Sequence, residues 1–222
     1  MKSLRQMLSS LVLVVLFSSI VCANVTYNFE CITNNSAYNA ACGENQLSID
    51  ITDIGQSKLV FTFLNSGKGD SGVIENIFFE DTSGLLSFSN FKAFESDVKF
   101  KFTKKNMNLP GGNEPEVDFT ESYGFYAAPP APKHGVELGE SLGIVFNYNI
   151  GFEEILSSIE NGKLRIGLHV ISFSDGGSES FINKLPTVVP VPDVPAVPVP
   201  GAVILGCIGV ILVGWVKRRK TL

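Results

Sequence analysis

The sequence is poor in the side chains on which most enzymes depend. Its 222 residues include two histidines, His134 and His169, and one tryptophan, Trp215. Histidine is the commonest general base near neutral pH, and neither histidine forms a recognisable nucleophile–base pair with a serine or cysteine. We therefore expect a protein without enzymatic activity.

Two sequence patterns resemble parts of catalytic or ligand-binding sites, but a structural role is favoured for both. Gly176-Gly177-Ser178-Glu179-Ser180 resembles the nucleophile elbow of hydrolases. That motif needs glycine where Ser180 stands, so a polar loop or the start of a strand is favoured. His169 shares the less apolar face of the predicted strand Leu164–Phe173 with Arg165. This placement favours a structural or surface histidine over a ligand-binding one.

Cysteines are also few, and two of the four lie in terminal apolar segments, at Cys22 and Cys207. Cys31 and Cys42 remain as a pair within the central region. In an exported protein such a pair predicts a disulfide, although two free or buried thiols stay open as an alternative. No second Cys/His pair lies nearby, so a metal site at these cysteines is not predicted.

Basic residues are scarce between positions 24 and 184, where 21 acidic side chains face 11 basic ones, a difference of −10. Nucleic acid is therefore not an expected partner, because phosphate contacts need clustered Lys and Arg. Calcium stays open as a ligand of the acidic turns. None of these turns matches the alternating pattern of a dedicated calcium loop, so solvated turns are favoured and no cofactor is predicted. The turns are Asp50/Asp53, Asp70 and Glu114/Glu116/Asp118.

Residues 1–23 have the pattern of a secretory signal peptide. Lys2 and Arg5 precede the apolar run Leu11–Phe17, and Val21-Cys22-Ala23 offers a cleavage site between Ala23 and Asn24. The apolar run is shorter than the ~20 residues of a transmembrane helix. Lipidation at Cys22 is disfavoured because Val21 is too bulky for the preceding position.

Residues 24–184 consist of short runs in which apolar and polar residues alternate. In the clearest run, Val98, Phe100 and Phe102 fall on one side of a strand, with Lys99 and Lys101 on the other. This period is typical of half-buried antiparallel strands. One helix is predicted from Phe152, Ile155, Leu156 and Ile159, which recur at helical spacing. The fold class expected is all-β, an antiparallel, jelly-roll-like β-sandwich with one short helix. Further strands are predicted at 25–29, 47–51, 59–64, 73–79, 85–88, 117–126 and 142–148.

The C-terminal region has three parts that follow one another to the last residue. Residues 185–200 form a Pro-rich stalk, and its six prolines lie within residues 186–200, which would be about 45 Å long if extended as polyproline. Residues 201–216 are an uncharged apolar run that predicts a transmembrane helix of ~24 Å. Residues 217–222 are a basic tail, which predicts a cytoplasmic end. Trp215 and Lys217 extend the short run towards the ~30 Å hydrocarbon core.

This tail resembles the PEP-CTERM sorting signal of Gram-negative bacteria. The resemblance lies in Val197-Pro198-Val199-Pro200-Gly201-Ala202, the apolar run, and the cluster Lys217-Arg218-Arg219-Lys220. Val199 stands where the name-giving motif has glutamate, so the tail is a variant form. The resemblance implies an exosortase-type membrane enzyme as the processing partner. It also implies passage through the inner membrane to the cell surface or extracellular matrix.

Four segments of the central region resemble segments that recur in exported PEP-CTERM proteins, and they imply kinship but no chemistry. They are Gly43–Leu47, Leu109–Asn113, Leu164–Val170 and Gly176–Asn183. Other terminal signals fit less well. Leu185–Val189 begins like a sortase site but has two valines where threonine and glycine are needed. A glycolipid anchor would end in its hydrophobic tail, whereas this chain ends in cations.

Two functional hypotheses follow. The first is an exported, non-enzymatic surface or matrix protein sorted by exosortase. The alternative is an adhesion module of the cell envelope that binds calcium or carbohydrate, with exopolysaccharide as the ligand. The absence of tryptophan from residues 24–184 weighs against the carbohydrate alternative, because exposed aromatic rings commonly carry such binding.

Overall fold

The computed structural model describes residues 24–67, 71–93, 95–104 and 107–185. The chain divides into two compact units, residues 1–186 and 187–222, and all described residues belong to the first. The predicted signal peptide, most of the stalk, the apolar run and the basic tail lie outside the described residues, as do Ala23 and every residue of the predicted sorting signal. No helix among the described residues is both long and apolar enough to cross a membrane.

The described residues form ten strands and three helices, and all strand pairings are antiparallel. The predicted antiparallel all-β class is therefore confirmed. The strands are β1 (Asn24–Cys31), β2 (Leu47–Gly55), β3 (Lys58–Asn65), β4 (Val73–Asp81), β5 (Leu86–Ala93), β6 (Phe100–Thr103), β7 (Tyr123–Ala127), β8 (Ser141–Tyr148), β9 (Leu164–Ile171) and β10 (Ser178–Asn183). The helices are α1 (Ala37–Gln46), α2 (Ala131–His134) and α3 (Phe152–Glu160).

The strands form one sheet in the order β5-β8-β3-β2-β1-β10-β9-β4-β7-β6, in place of two separate sheets. Strand β1 joins the two halves. Its residues 24–28 pair with β2, and its residues 29–31 pair with β10. The two edge strands come close together, since the ring centroids of Phe88 on β5 and Phe102 on β6 are 4.6 Å apart. The sheet is therefore nearly closed.

Phenylalanine fills the space enclosed by the sheet. The Phe79 ring on β4 has its centroid 5.0 Å from that of Phe61 on β3 and 4.9 Å from that of Phe146 on β8. These contacts join strands from opposite halves of the sheet, and all three rings are fully buried. The Phe61–Phe79 pair is edge-to-face and the Phe79–Phe146 pair is tilted, and edge-to-face packing contributes beyond the burial of area alone.

The helices differ in how far the sequence predicts them. Helix α3 lies where the periodicity places it, with Ile155, Leu156 and Ile159 buried. The expectation of a single helix is wrong, because α1 and the one-turn α2 are also present. Helix α1 buries small and polar residues, including Asn39 and Gly43. Its sequence therefore lacks the apolar stripe by which a helix is recognised.

Residues 107–122 form a loop that packs on the outside of the sheet. A strand was expected from residue 117 to 126, but β7 begins only at Tyr123. Phe119 and Leu109 in the loop are buried against Phe78 of β4, as a second apolar cluster. We call residues 107–122 the cover loop.

Candidate binding surface

The two cysteines are free thiols in the structure, and both are partly buried. The Cys31 Sγ lies 3.6 Å from an Oε2 of Glu179 and accepts the backbone N–H of Asn34 at 3.3 Å. Burial raises the pKa of the Cys31 thiol above its ordinary value. The Cys31–Cys42 disulfide is not formed in this structure, and the pairing stays a prediction for the oxidised, exported protein.

Both histidines have structural partners. The side chain of His169 is half-buried on the outer face of β9, and its Nδ1 lies 3.1 Å from the Glu75 Oε2. His134 lies at the end of α2, where its Nδ1 is 3.0 Å from the carbonyl oxygen of Ala128. The expectation that His169 shares a face with Arg165 is confirmed. The two residues are four positions apart on β9, and residues separated by an even number of positions on a strand point the same way.

The segment that resembles a hydrolase elbow runs from a turn at Gly176 and Gly177 into strand β10, which is paired with β1 on one side and β9 on the other. Ser180 is fully buried, and its backbone N–H donates to the Thr33 hydroxyl. Glu179 is also buried, and its carboxylate accepts the backbone N–H groups of Asn35 and Ser36 at 2.9 and 2.6 Å. A buried carboxylate with such partners holds the loop between β1 and α1 against the sheet. The serine offers no accessible nucleophile in this arrangement.

The segment Gly43–Leu47 packs on Gly176–Asn183, and the segment Leu109–Asn113 packs on Leu164–Val170. A Cβ atom on Gly43 would lie 2.1 Å from the Phe181 ring, so α1 reaches β10 only because residue 43 is glycine. A Cβ atom on Gly167 would lie 2.7 Å from a Leu109 methyl group, so the same holds where the cover loop crosses β9. These segments therefore have packing roles in the fold.

The acidic residues that were considered for calcium do not share one setting: Asp50 and Asp53 lie in strand β2 and not in a turn, whereas Glu114, Glu116 and Asp118 lie in the cover loop. Asp50 accepts the Thr26 hydroxyl at 2.5 Å, and Asp53 accepts the backbone N–H of Gly55 at 2.9 Å. Asp118 has a positive φ of 43°, and its carbonyl oxygen accepts a bond from Arg165. Within the described residues, no group of three or more His, Cys, Asp or Glu side chains could hold a metal ion. Asp70 lies outside these residues.

A polar pocket opens where the cover loop meets strands β6 and β7, with a volume of about 190 Å³. Met107 and Gly124 supply its less polar wall. Burial raises the pKa of the Tyr123 phenol, which donates to the carbonyl oxygen of Leu86 at 2.5 Å. The polar lining consists of Lys104, Asn108, Thr120, Glu121, Ser122 and Tyr123.

Beside the pocket, three lysines lie on or next to edge strand β6: Lys101 within the strand, and Lys99 and Lys104 directly before and after it. Lys99, Lys101 and Lys104 are exposed. No carboxylate in the described part of the chain lies within ion-pair distance of these three side chains. Lys101 is paired in register with Tyr126 on β7, whose side chain is partly exposed. We call Lys99, Lys101, Lys104 and Tyr126, together with the pocket, the lysine face.

The alternation of residues in 98–102 predicts the outward direction of Lys99 and Lys101, and the structure confirms it, because Val98 and Phe100 are buried. The pocket has no such signal in the sequence. Its two sides, residues 104, 107 and 108 on one side and residues 120–124 on the other, come together only through the course of the cover loop. Comparison with known proteins adds no further assignment: no protein-family model, curated protein or solved structure matches this chain.

Proposed function

We propose that this protein is an exported, non-enzymatic protein of the cell surface or extracellular matrix. In this proposal residues 1–23 direct export, residues 201–216 hold the chain in the inner membrane, and an exosortase-type enzyme reads the PEP-CTERM-like tail. The stalk separates the β-domain from the membrane. The observation that carries the proposal is the order of stalk, apolar run and basic cluster at the C-terminus.

The described domain supports this proposal in one respect. Its last strand ends at Asn183, and the first compact unit ends at Pro186, where the Pro-rich stalk begins. The β-domain is therefore complete before the stalk, so removal of the tail would leave its strands intact. This division suits a domain that is delivered by its tail and released from it.

The test replaces Pro198, Val199 and Pro200 with alanine in the native host. We expect loss of C-terminal processing and accumulation of the longer form in the inner membrane. The readouts are immunoblotting of membrane and surface fractions and mass spectrometry of the mature C-terminus. Unchanged processing and surface display would contradict the proposal.

The stalk provides a matched control, because the same tripeptide recurs at Pro190-Val191-Pro192. Alanine at these three positions changes the stalk equally but leaves the predicted signal intact. We expect normal processing of this variant. If both variants fail equally, stalk rigidity and not the signal is responsible.

A further inference from the structure

We propose that the lysine face binds an acidic polysaccharide. Lys99 and Lys101 would pair with its carboxylates, and one sugar unit would enter the pocket beside Lys104. This goes beyond sorting, because it assigns a ligand class to the β-domain itself. It also gives the carbohydrate ligand of the second hypothesis a site at exposed lysines.

The first support is the uneven distribution of charge. Although residues 24–184 carry a net charge of −10, five of their eleven basic residues fall between positions 92 and 105. Three of these, Lys99, Lys101 and Lys104, are exposed without a carboxylate partner among the described residues. A local cluster of one sign on a domain of the opposite sign attracts a ligand of the domain's own sign to that one place.

The second support is the linear arrangement of the lysines. Lys99 and Lys101 are two residues apart on an extended strand, so their side chains point the same way at about 6.6 Å spacing. Thr103 continues this row, and it pairs in register with Gly124 in the wall of the pocket. A row of cations that leads into a pocket suits an extended polymer with charges at regular intervals.

The third support is the chemistry of the pocket. Asn108 and Thr120 offer an amide and a hydroxyl group, which suit the hydroxyl groups of a sugar. The Ser122 hydroxyl accepts the backbone N–H of Asp81, and the Glu121 carboxylate accepts that of Leu109, so both already have partners within the protein. The volume of about 190 Å³ is below the ~300–1,000 Å³ of pockets that enclose drug-sized ligands. The pocket therefore fits one unit of a polymer. Tyr126 places an aromatic ring beside Lys101, where a sugar ring could pack against it.

Edge-strand lysines have a second established role, since charge on an edge strand prevents pairing with the edge of another molecule. The two roles are separated by Lys99→Glu combined with Lys101→Glu. Glutamate keeps a charge on the edge and so keeps the protection. It reverses the sign, however, and so removes attraction for a polyanion.

The experiment measures binding of the full-length protein, in mild detergent, to polygalacturonate, neutral dextran and polyphosphate by biolayer interferometry. We expect binding to polygalacturonate that weakens with salt, and none to dextran. K99E/K101E should lower the affinity for polygalacturonate at least tenfold. The matched control K58E/K163E makes the same change in net charge outside β6, β7 and the pocket, and should lower the affinity less than about threefold.

A neutral variant tests the sugar-specific part. Asn108→Ala should weaken polygalacturonate binding about two- to tenfold, the usual range for one lost hydrogen bond, with no effect on polyphosphate. Absence of polygalacturonate binding overturns the proposal, as does equal loss in K58E/K163E. Equal binding of polyphosphate, unaffected by Asn108→Ala, shows general attraction of polyanions and also overturns it. None of these outcomes depends on processing of the tail, so the sorting proposal is tested separately.

Discussion

Two neighbouring regions on the outside of the sheet differ in whether a loop covers them. Over β4 and β9 the cover loop buries Phe119 and Leu109 against Phe78. Along β6, by contrast, Lys99 and Lys101 are exposed. The pocket lies at the boundary, since its lining comes from both regions.

The difference follows from the residues that point outward. The apolar side chain of Phe78 is favoured in a buried position, whereas the charged side chains of Lys99 and Lys101 are favoured in contact with water. Arg165 holds the cover loop on the sheet. Its side chain forms an ion pair with Glu80 and donates hydrogen bonds to the carbonyl oxygens of Val117 and Asp118. Its guanidinium also lies 5.3 Å from the centre of the Phe119 ring. The covered region therefore contributes to stability through buried apolar packing, whereas the exposed region keeps its charged side chains in solvent.

The largest loss of stability is expected from Phe119→Ala in the covered region. Phe119 is 2 % exposed, so its removal leaves a cavity and should lower the free energy of unfolding by about 3–5 kcal/mol. Chemical denaturation of the full-length protein gives the value, and limited proteolysis should show new cleavage within residues 107–122. Tyr126→Ala is the matched aromatic change on the lysine face, and should cost less than half as much because Tyr126 is partly exposed. Equal costs would contradict the division into covered and open regions.

A smaller effect is expected from a single methyl group at the crossing of the cover loop. Gly167→Ala places a Cβ atom 2.7 Å from Leu109, so Leu109 must shift at a cost of about 1–3 kcal/mol. Gly124→Ala is the matched change in the pocket wall, where the nearest atom is the Met107 sulfur at 3.3 Å. It should cost less than about 1 kcal/mol, since Met side chains adapt readily. The measurement is the midpoint of denaturant unfolding, and a Gly124→Ala cost as large as that of Gly167→Ala would be evidence against the close crossing.

The sequence predicts the strands and helix that have regular periodicity, and it misses elements that depend on distant partners. Helix α3 and strand β6 have clear periods and lie close to where they are predicted. Strand β10 buries Glu179 and Asn183, contrary to simple alternation. Both side chains have distant partners: the Glu179 carboxylate accepts the backbone N–H of Ser36 in the loop before α1, and the Asn183 Oδ1 accepts the backbone N–H of Ile166 at 2.7 Å. No local pattern could indicate such partners.

The candidate site also has one part that the sequence predicts and another that it does not. Lys99 and Lys101 are predicted to face outward from their alternation with apolar residues, because that signal is local. The pocket depends on contacts between Asn108 and residues 120–124, which are brought together by the burial of Leu109 and Phe119. An apolar residue in an irregular segment gives no indication of the face on which it will pack. The lysines could therefore be found from the sequence, but the pocket could not.

The smallest effect is expected when the exposed lysines alone are changed. K99E/K101E should alter the free energy of unfolding by no more than about 0.5 kcal/mol, because both side chains are exposed and unpaired among the described residues. The protein should also keep its oligomeric state, since glutamate protects the edge of β6 as lysine does. Denaturant unfolding and light scattering check the two expectations. A loss of stability above about 1 kcal/mol would mean that the lysines contribute to the fold. Aggregation would mean that protection of the edge requires their positive charge. Either result would contradict the distinction between a region that stabilises the fold and one that is available to a partner.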